Sequence, residues 1–232
     1  VYGLGMKIEA VAMGTLIAQW AGALLAALYA WAKHGKVLQR LKWRAVLQGE
    51  ALLRFFTVNR DIFLRTLFLV AVNLFFVSAG ARQGALLLAA NTLLMQLFTL
   101  FSYVMDGFAY AGEALCGKYL GAHDAQEFHA TVKRLFVWGA LLTTAYTAVY
   151  AFGGDAFLAL LTDDTAVLHA AHQYMPWAIA IPIAGVAAFV WDGVFIGTTA
   201  TRGMLVSSAV AGVLFFAIFF VAAPTLHNHG LW

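Results

Sequence analysis

The chain has 232 residues, of which 63% are hydrophobic and 11% charged, with a formal net charge of +3. A soluble domain is about 45–50% apolar and about 25% charged, so a water-soluble enzyme fold is excluded. The single cysteine, Cys116, excludes a disulfide-stapled secreted domain, and the wealth of aromatic residues excludes disorder. The class that remains is an all-α polytopic membrane protein.

A helix needs about 20 mainly apolar residues to cross a bilayer core. Residues 10–31 supply the first such run, with Thr15 and Gln19 as its polar interruptions. A basic segment over 33–60 follows, holding Lys33, Lys36, Arg40, Lys42, Arg44, Arg54 and Arg60. Between two apolar runs it reads as a loop kept on the cytoplasmic side rather than as a nucleic-acid surface. Within it Val37, Leu38, Leu41, Val46 and Leu47 recur at near-helical spacing. That pattern fits either an amphipathic helix on the inner membrane face or a solvated connector.

The second span is expected over 62–80, turned by Ala81-Arg82-Gln83-Gly84, and the third over 85–117, broken at Gly121-Ala122-His123-Asp124. Lys133 and Arg134 precede a fourth span at 135–152, and an acidic loop with Asp155, Asp163 and Asp164 follows it. The fifth, 171–197, contains Pro176 and Pro182; the sixth, 203–223, ends at Pro224. With six spans, the seven basic residues of the linker share one side with Arg65, Lys118, Lys133, Arg134 and Arg202, twelve in all, against Lys7 and Arg82 on the other. Such a bias places the richer side in the cytoplasm and both ends of this chain outside.

A carboxylate at the bilayer centre costs at least about 2.5–3.5 kcal/mol and persists when it faces protein, water or an ion. Asp192 lies ten residues before Arg202, which at 1.5 Å per residue puts it about 15 Å deep, near the midplane. It is the leading candidate for a group on an ion route, with a structural acid as the alternative. Asp106 and Glu113 are two turns apart and share a helix face; their expected place is near or beyond the inner interface. Asn73, Asn91, Gln96 and Tyr103 fall within spans, either as interhelical glue or as cavity lining. Gly107, Gly112, Gly117 and Gly121 either permit close helix approach or reflect the general excess of glycine in membrane helices. His169 with His172, and His227 with His229, lack a third ligand for zinc, so no metal site is expected. Nor is there a nucleophile elbow, phosphate loop or zinc-protease helix, and enzymatic activity has no support.

Four tags then carry a resemblance. Asn59-Arg60-Asp61-Ile62-Phe63-Leu64-Arg65-Thr66 enters the second span; Ser78-Ala79-Gly80-Ala81-Arg82-Gln83-Gly84 and Leu88-Ala89-Ala90-Asn91 surround the following turn. Met105-Asp106-Gly107-Phe108-Ala109-Tyr110-Ala111-Gly112-Glu113-Ala114-Leu115 closes the third span, and Trp191-Asp192-Gly193-Val194-Phe195-Ile196-Gly197, followed by Thr201-Arg202, closes the fifth. Together they resemble the multidrug and toxic-compound extrusion (MATE) family, in its DNA-damage-inducible branch.

The resemblance implies a partial MATE-type two-lobe transporter of about twelve spans with a substrate cavity between the lobes. Residues 1–32 would be the last helix of the N-terminal lobe, 33–60 the inter-lobe linker, and 61–232 five helices of the C-terminal lobe. It implies a bacterial inner-membrane antiporter that exports cationic or amphipathic organic compounds in exchange for H+ or Na+, with no other cofactor. The coupling-ion residues would be Asp192 and Asp106; Asn73, Asn91, Gln96, Tyr103 and Glu113 would line the substrate path. This chain has Asn73 on a helix where some branches carry an acid, and the proton-coupling aspartate of the other lobe falls outside it, so either ion stays open. Rival readings are a lipid-linked oligosaccharide flippase of the same superfamily and a non-transporting membrane subunit. The start, Val1-Tyr2-Gly3-Leu4-Gly5, the close at His229-Gly230-Leu231-Trp232 and the short stretch after Arg202 lead to the expectation that residues are missing, with the N-terminal lobe upstream or on a companion chain.

Overall fold

The computed structural model describes residues 8–38 and 48–232, without the side chains of residues 8–11, 36–38 and 51. Among the described residues there is no strand. The described residues form six long helices in succession: α1 (Ile8–Leu38), α2 (Gly49–Arg82), α3 (Ala85–Gly121), α4 (Ala125–Leu161), α5 (Thr165–Gly197) and α6 (Thr201–Leu226), with a 3-10 turn at His227–Gly230. Each of the six is long and apolar enough to cross a membrane, which makes this an all-α polytopic membrane protein. The amphipathic pattern expected at 37–47 lies outside the described residues from residue 39 on, as do the side chains of Val37 and Leu38.

The helices run past the apolar spans. α4 begins at Ala125, ten residues before 135, and α2 begins at Gly49, inside the basic segment. A helix does not have to stop at the membrane surface; it stops where its backbone finds caps or a breaker. Asp124 accepts a hydrogen bond from the Glu127 N–H and so starts α4 in the polar zone, where Arg134 then pairs with Glu127 at 3.3 Å. The residues from Glu50 to Gln83 include neither glycine nor proline apart from Gly80, so α2 continues unbroken until Gly84, whose φ of 113° suits only glycine.

The chain divides into two compact units, Val1–Phe56 and Thr57–Trp232. In the first, α1 carries exposed Trp20, Leu24 and Leu28, side chains that suit lipid contact. The second unit is built around α3, α4 and α5. Leu94, Leu97, Phe101 and Met105 repeat at three- and four-residue spacing along α3 and are fully buried against Tyr150 and Leu158 of α4 and Val190 and Val194 of α5. The Tyr150 hydroxyl donates to the Leu97 carbonyl at 2.6 Å, which satisfies the one polar atom of a buried ring.

α3 and α5 touch backbone to backbone. A methyl group added to Gly193 would strike the Ala109 carbonyl oxygen, and one added to Gly197 would strike that of Glu113; one on Gly117 would lie 2.9 Å from the Gly197 oxygen. Lipid supplies no hydrophobic drive between helices, so small residues that let backbones approach are what hold them together. Of the four α3 glycines, Gly112 and Gly117 face this seam, whereas Gly107 and Gly121 have nothing within 4 Å. α2 meets α6 differently, through rings: Phe75 lies edge-on to Phe216 at 5.0 Å and to Phe219 at 4.8 Å, while Gly212 sits under Phe68.

Candidate functional site

Leu88, Asn91, Thr92, Met95, Gln96 and Thr99 of α3 fall on a single stripe by helical periodicity. Opposite them α2 presents Asn73, Phe76 and Val77, one turn of its own stripe, and the two enclose a cleft of about 200 Å³. That is less than the roughly 300–1,000 Å³ of a complete drug-sized pocket, so the cleft by itself is too small to enclose such a molecule. Its lining is uncharged: three amides, two threonines, and apolar walls that include Phe76 and Met95.

The amides divide by role. Asn91 is buried and its bonds are committed: its Nδ2 donates to the Asn228 Oδ1 at 2.8 Å, and its Oδ1 accepts from the Asn228 Nδ2 and the Trp232 Nε1, both at 2.9 Å. This pins the turn after α6 to α3, reinforced by the Trp232 ring edge-on to Phe76 at 5.0 Å. Asn73 and Gln96 line the same cleft but are exposed, free to face whatever enters. Of the two alternatives for amides in a bundle, Asn91 is glue and Asn73 is lining. Tyr103 continues the α3 stripe and is 73% exposed; it is not among the residues that line the cleft.

About 12 Å along α2 from Asn73, eight residues at 1.5 Å each, a second group forms around Arg65. Its Nη2 meets the Asp192 Oδ1 of α5 at 2.5 Å, with the two side chains 21% and 24% exposed. Asp106 and Glu113, on the continuing stripe of α3, are near enough for their charges to act on Asp192. The Arg65 Nε is buried with no acceptor. One turn earlier on α2 the buried Asp61 accepts from Arg60 at 3.0 Å and from the Thr201 Oγ1 at 3.3 Å; Thr201 opens α6. This middle stretch of α2 is therefore tied by side chains to both α5 and α6.

Asp192 lies five residues from the end of α5 at Gly197, about 7.5 Å of helix, so the ten residues from Asp192 to Arg202 are not one continuous helical rise. Helical rise accumulates only within the helix, and the chain turns through residues 198–200, where Thr199 has a φ of 55°, before Arg202. Among the described residues no three His, Cys, Asp or Glu side chains converge as metal ligands.

Sequence reasoning placed Arg65, Asp61, Thr201, Gly193 and Gly197 in the family tags and counted Arg65 as an inner-side charge, but gave none of them a part in the site. Two signals were present. An arginine three residues inside an expected span requires a nearby counter-charge, and Gly193-Val194-Phe195-Ile196-Gly197 is a small-xxx-small pattern.

The MatE family model matches residues 62–221. The chain is 35% identical over 240 residues to the DNA damage-inducible protein F of Escherichia coli (strain K12), a match that covers 100% of this chain and 50% of that protein. It is 25% identical over 155 residues to Protein DETOXIFICATION 42 of Arabidopsis thaliana, covering 67% of this chain and 30% of the relative. To the same plant's Protein DETOXIFICATION 44, chloroplastic, it is 22% identical over 234 residues, covering 100% and 43%. The chain spans half or less of the length of these curated relatives. No solved structure matches it.

Proposed function

The chain belongs to the MatE family, and from that premise we propose that it forms the C-terminal lobe, with the last helix of the N-terminal lobe, of an alternating-access antiporter in a bacterial inner membrane. The antiporter exports cationic or amphipathic organic compounds in exchange for inward H+ or Na+. One observation carries the reading: Asp192 is a part-buried carboxylate at the α3–α5 seam, balanced by a single arginine from a third helix. Ionisable groups in membrane helices are costly and are kept where something charged passes them. A cation that binds one lobe arrangement better than the other shifts the equilibrium by its differential affinity and by no more; coupling energies of this kind are typically about 1–3 kcal/mol.

The cleft beside Asn73 supports the substrate half of the reading. Met95, Val77 and Leu88 offer apolar contact, Asn73 and Gln96 offer hydrogen bonds, and the Phe76 ring can face a positive charge. A lipid-linked oligosaccharide would need cationic groups for its phosphates, and the cleft has none. The deciding experiment replaces Asp192→Asn in the full-length transporter and follows efflux of a fluorescent organic cation from loaded vesicles. Gradient-driven export should be lost or sharply reduced; export at the parental rate would remove Asp192 from the mechanism.

A further inference from the structure

We propose that Arg65 is a built-in counter-ion that competes with the coupling cation for Asp192, so that arrival of the cation frees α2 at Arg65. This deepens the antiporter reading and rests on it. The Arg65 guanidinium already stands where a cation would be held, with its Nη2 at 2.5 Å from the Asp192 Oδ1. Both side chains keep more than a fifth of their surface exposed, so a small cation arriving through water can reach the carboxylate.

The surrounding charges favour exchange over a permanent lock. Asp106 and Glu113 of α3 are near enough for their charges to act on Asp192, so an incoming cation meets an acidic surround rather than a lone carboxylate. On α2 itself Arg60 is taken up by Asp61, and Arg202 of α6 is exposed. The Arg65 Nε has no acceptor, so in this region the guanidinium is fastened through its bond to Asp192.

What moves when the pair opens follows from how the helices are joined. α3 and α5 are in backbone contact through Gly112, Gly117, Gly193 and Gly197, and a packed seam of this kind does not yield gradually. α2 is joined to α5 and α6 by side chains, through Arg65, Asp61 and Phe75. Loss of the Arg65 bond therefore loosens α2, the helix that also forms one wall of the cleft at Asn73, and leaves α3 with α5 in place. Cation capture and the shape of the substrate cleft are thereby linked through one helix.

The test uses the full-length transporter in proteoliposomes, with export rate measured against sodium concentration and, separately, against proton concentration. Arg65→Gln should lower the half-saturating concentration of the driving cation by roughly tenfold or more, within the range of measured couplings between sites. Arg65→Lys, which keeps a charge but loses the fixed fork, should lower it by about threefold, and decides the matter if the Gln variant does not reach the membrane. A half-saturation that is unchanged or raised in these variants overturns the competition. If the parental transporter responds to neither gradient, the antiporter reading itself has failed; if it responds and the variants do not differ from it, only the role of Arg65 has.

Discussion

Gly193→Ala tests the seam on which the site is built. The added methyl would meet the Ala109 carbonyl oxygen, and would lie 2.8 Å from both the Ala109 Cα and its carbonyl carbon. Carbon atoms in good contact sit about 3.5–4.0 Å apart, so α3 and α5 must part by about 0.7 Å at least. Backbone cannot rotate away as a side-chain tip can. The change therefore costs more than the gain of about 0.5–1 kcal/mol that alanine brings to a helix interior, and falls in the overpacking range of about 1–3 kcal/mol. The neighbouring residue is Asp192, so the same displacement pulls its carboxylate from Arg65. Thermal unfolding of the full-length protein in detergent should show Gly193→Ala clearly less stable than the parent, with Gly107→Ala, where nothing lies within 4 Å, equal to the parent or slightly more stable. Equal melting of the two variants would refute the claim that the glycine seam, and not general helix packing, sets the α3–α5 distance.

Asn228→Ala leaves a buried Asn91 amide without its reciprocal partner; a loss of about 1–3 kcal/mol is expected, read by the same unfolding assay, while gradient dependence of export is unchanged. Asn73→Leu keeps the volume of the cleft wall but removes a hydrogen-bonding group, so the KM for hydrogen-bonding substrates should rise with the half-saturating cation concentration unmoved, a split that steady-state export assays resolve.

Much of this protein follows from local pattern. Long apolar runs make membrane helices wherever they fold, because a backbone in lipid must satisfy its own hydrogen bonds; the six spans needed no partner to be legible. The face shared by Asp106 and Glu113 followed equally from periodicity. Where the helices end was less visible, because caps such as Asp124 act through single hydrogen bonds beyond the apolar run.

The pairings came from folding alone. Nothing in the order of residues joins Arg65 to Asp192, 127 positions later, or Asn91 to Asn228. Periodicity assigns a residue to a face of its own helix, but which face meets which, and how closely, depends on contacts such as Gly193 against Ala109 that only the packed structure brings together. The composition thus determined that this chain lies in a membrane as helices, and the packing decided which of its few charges and amides face one another there.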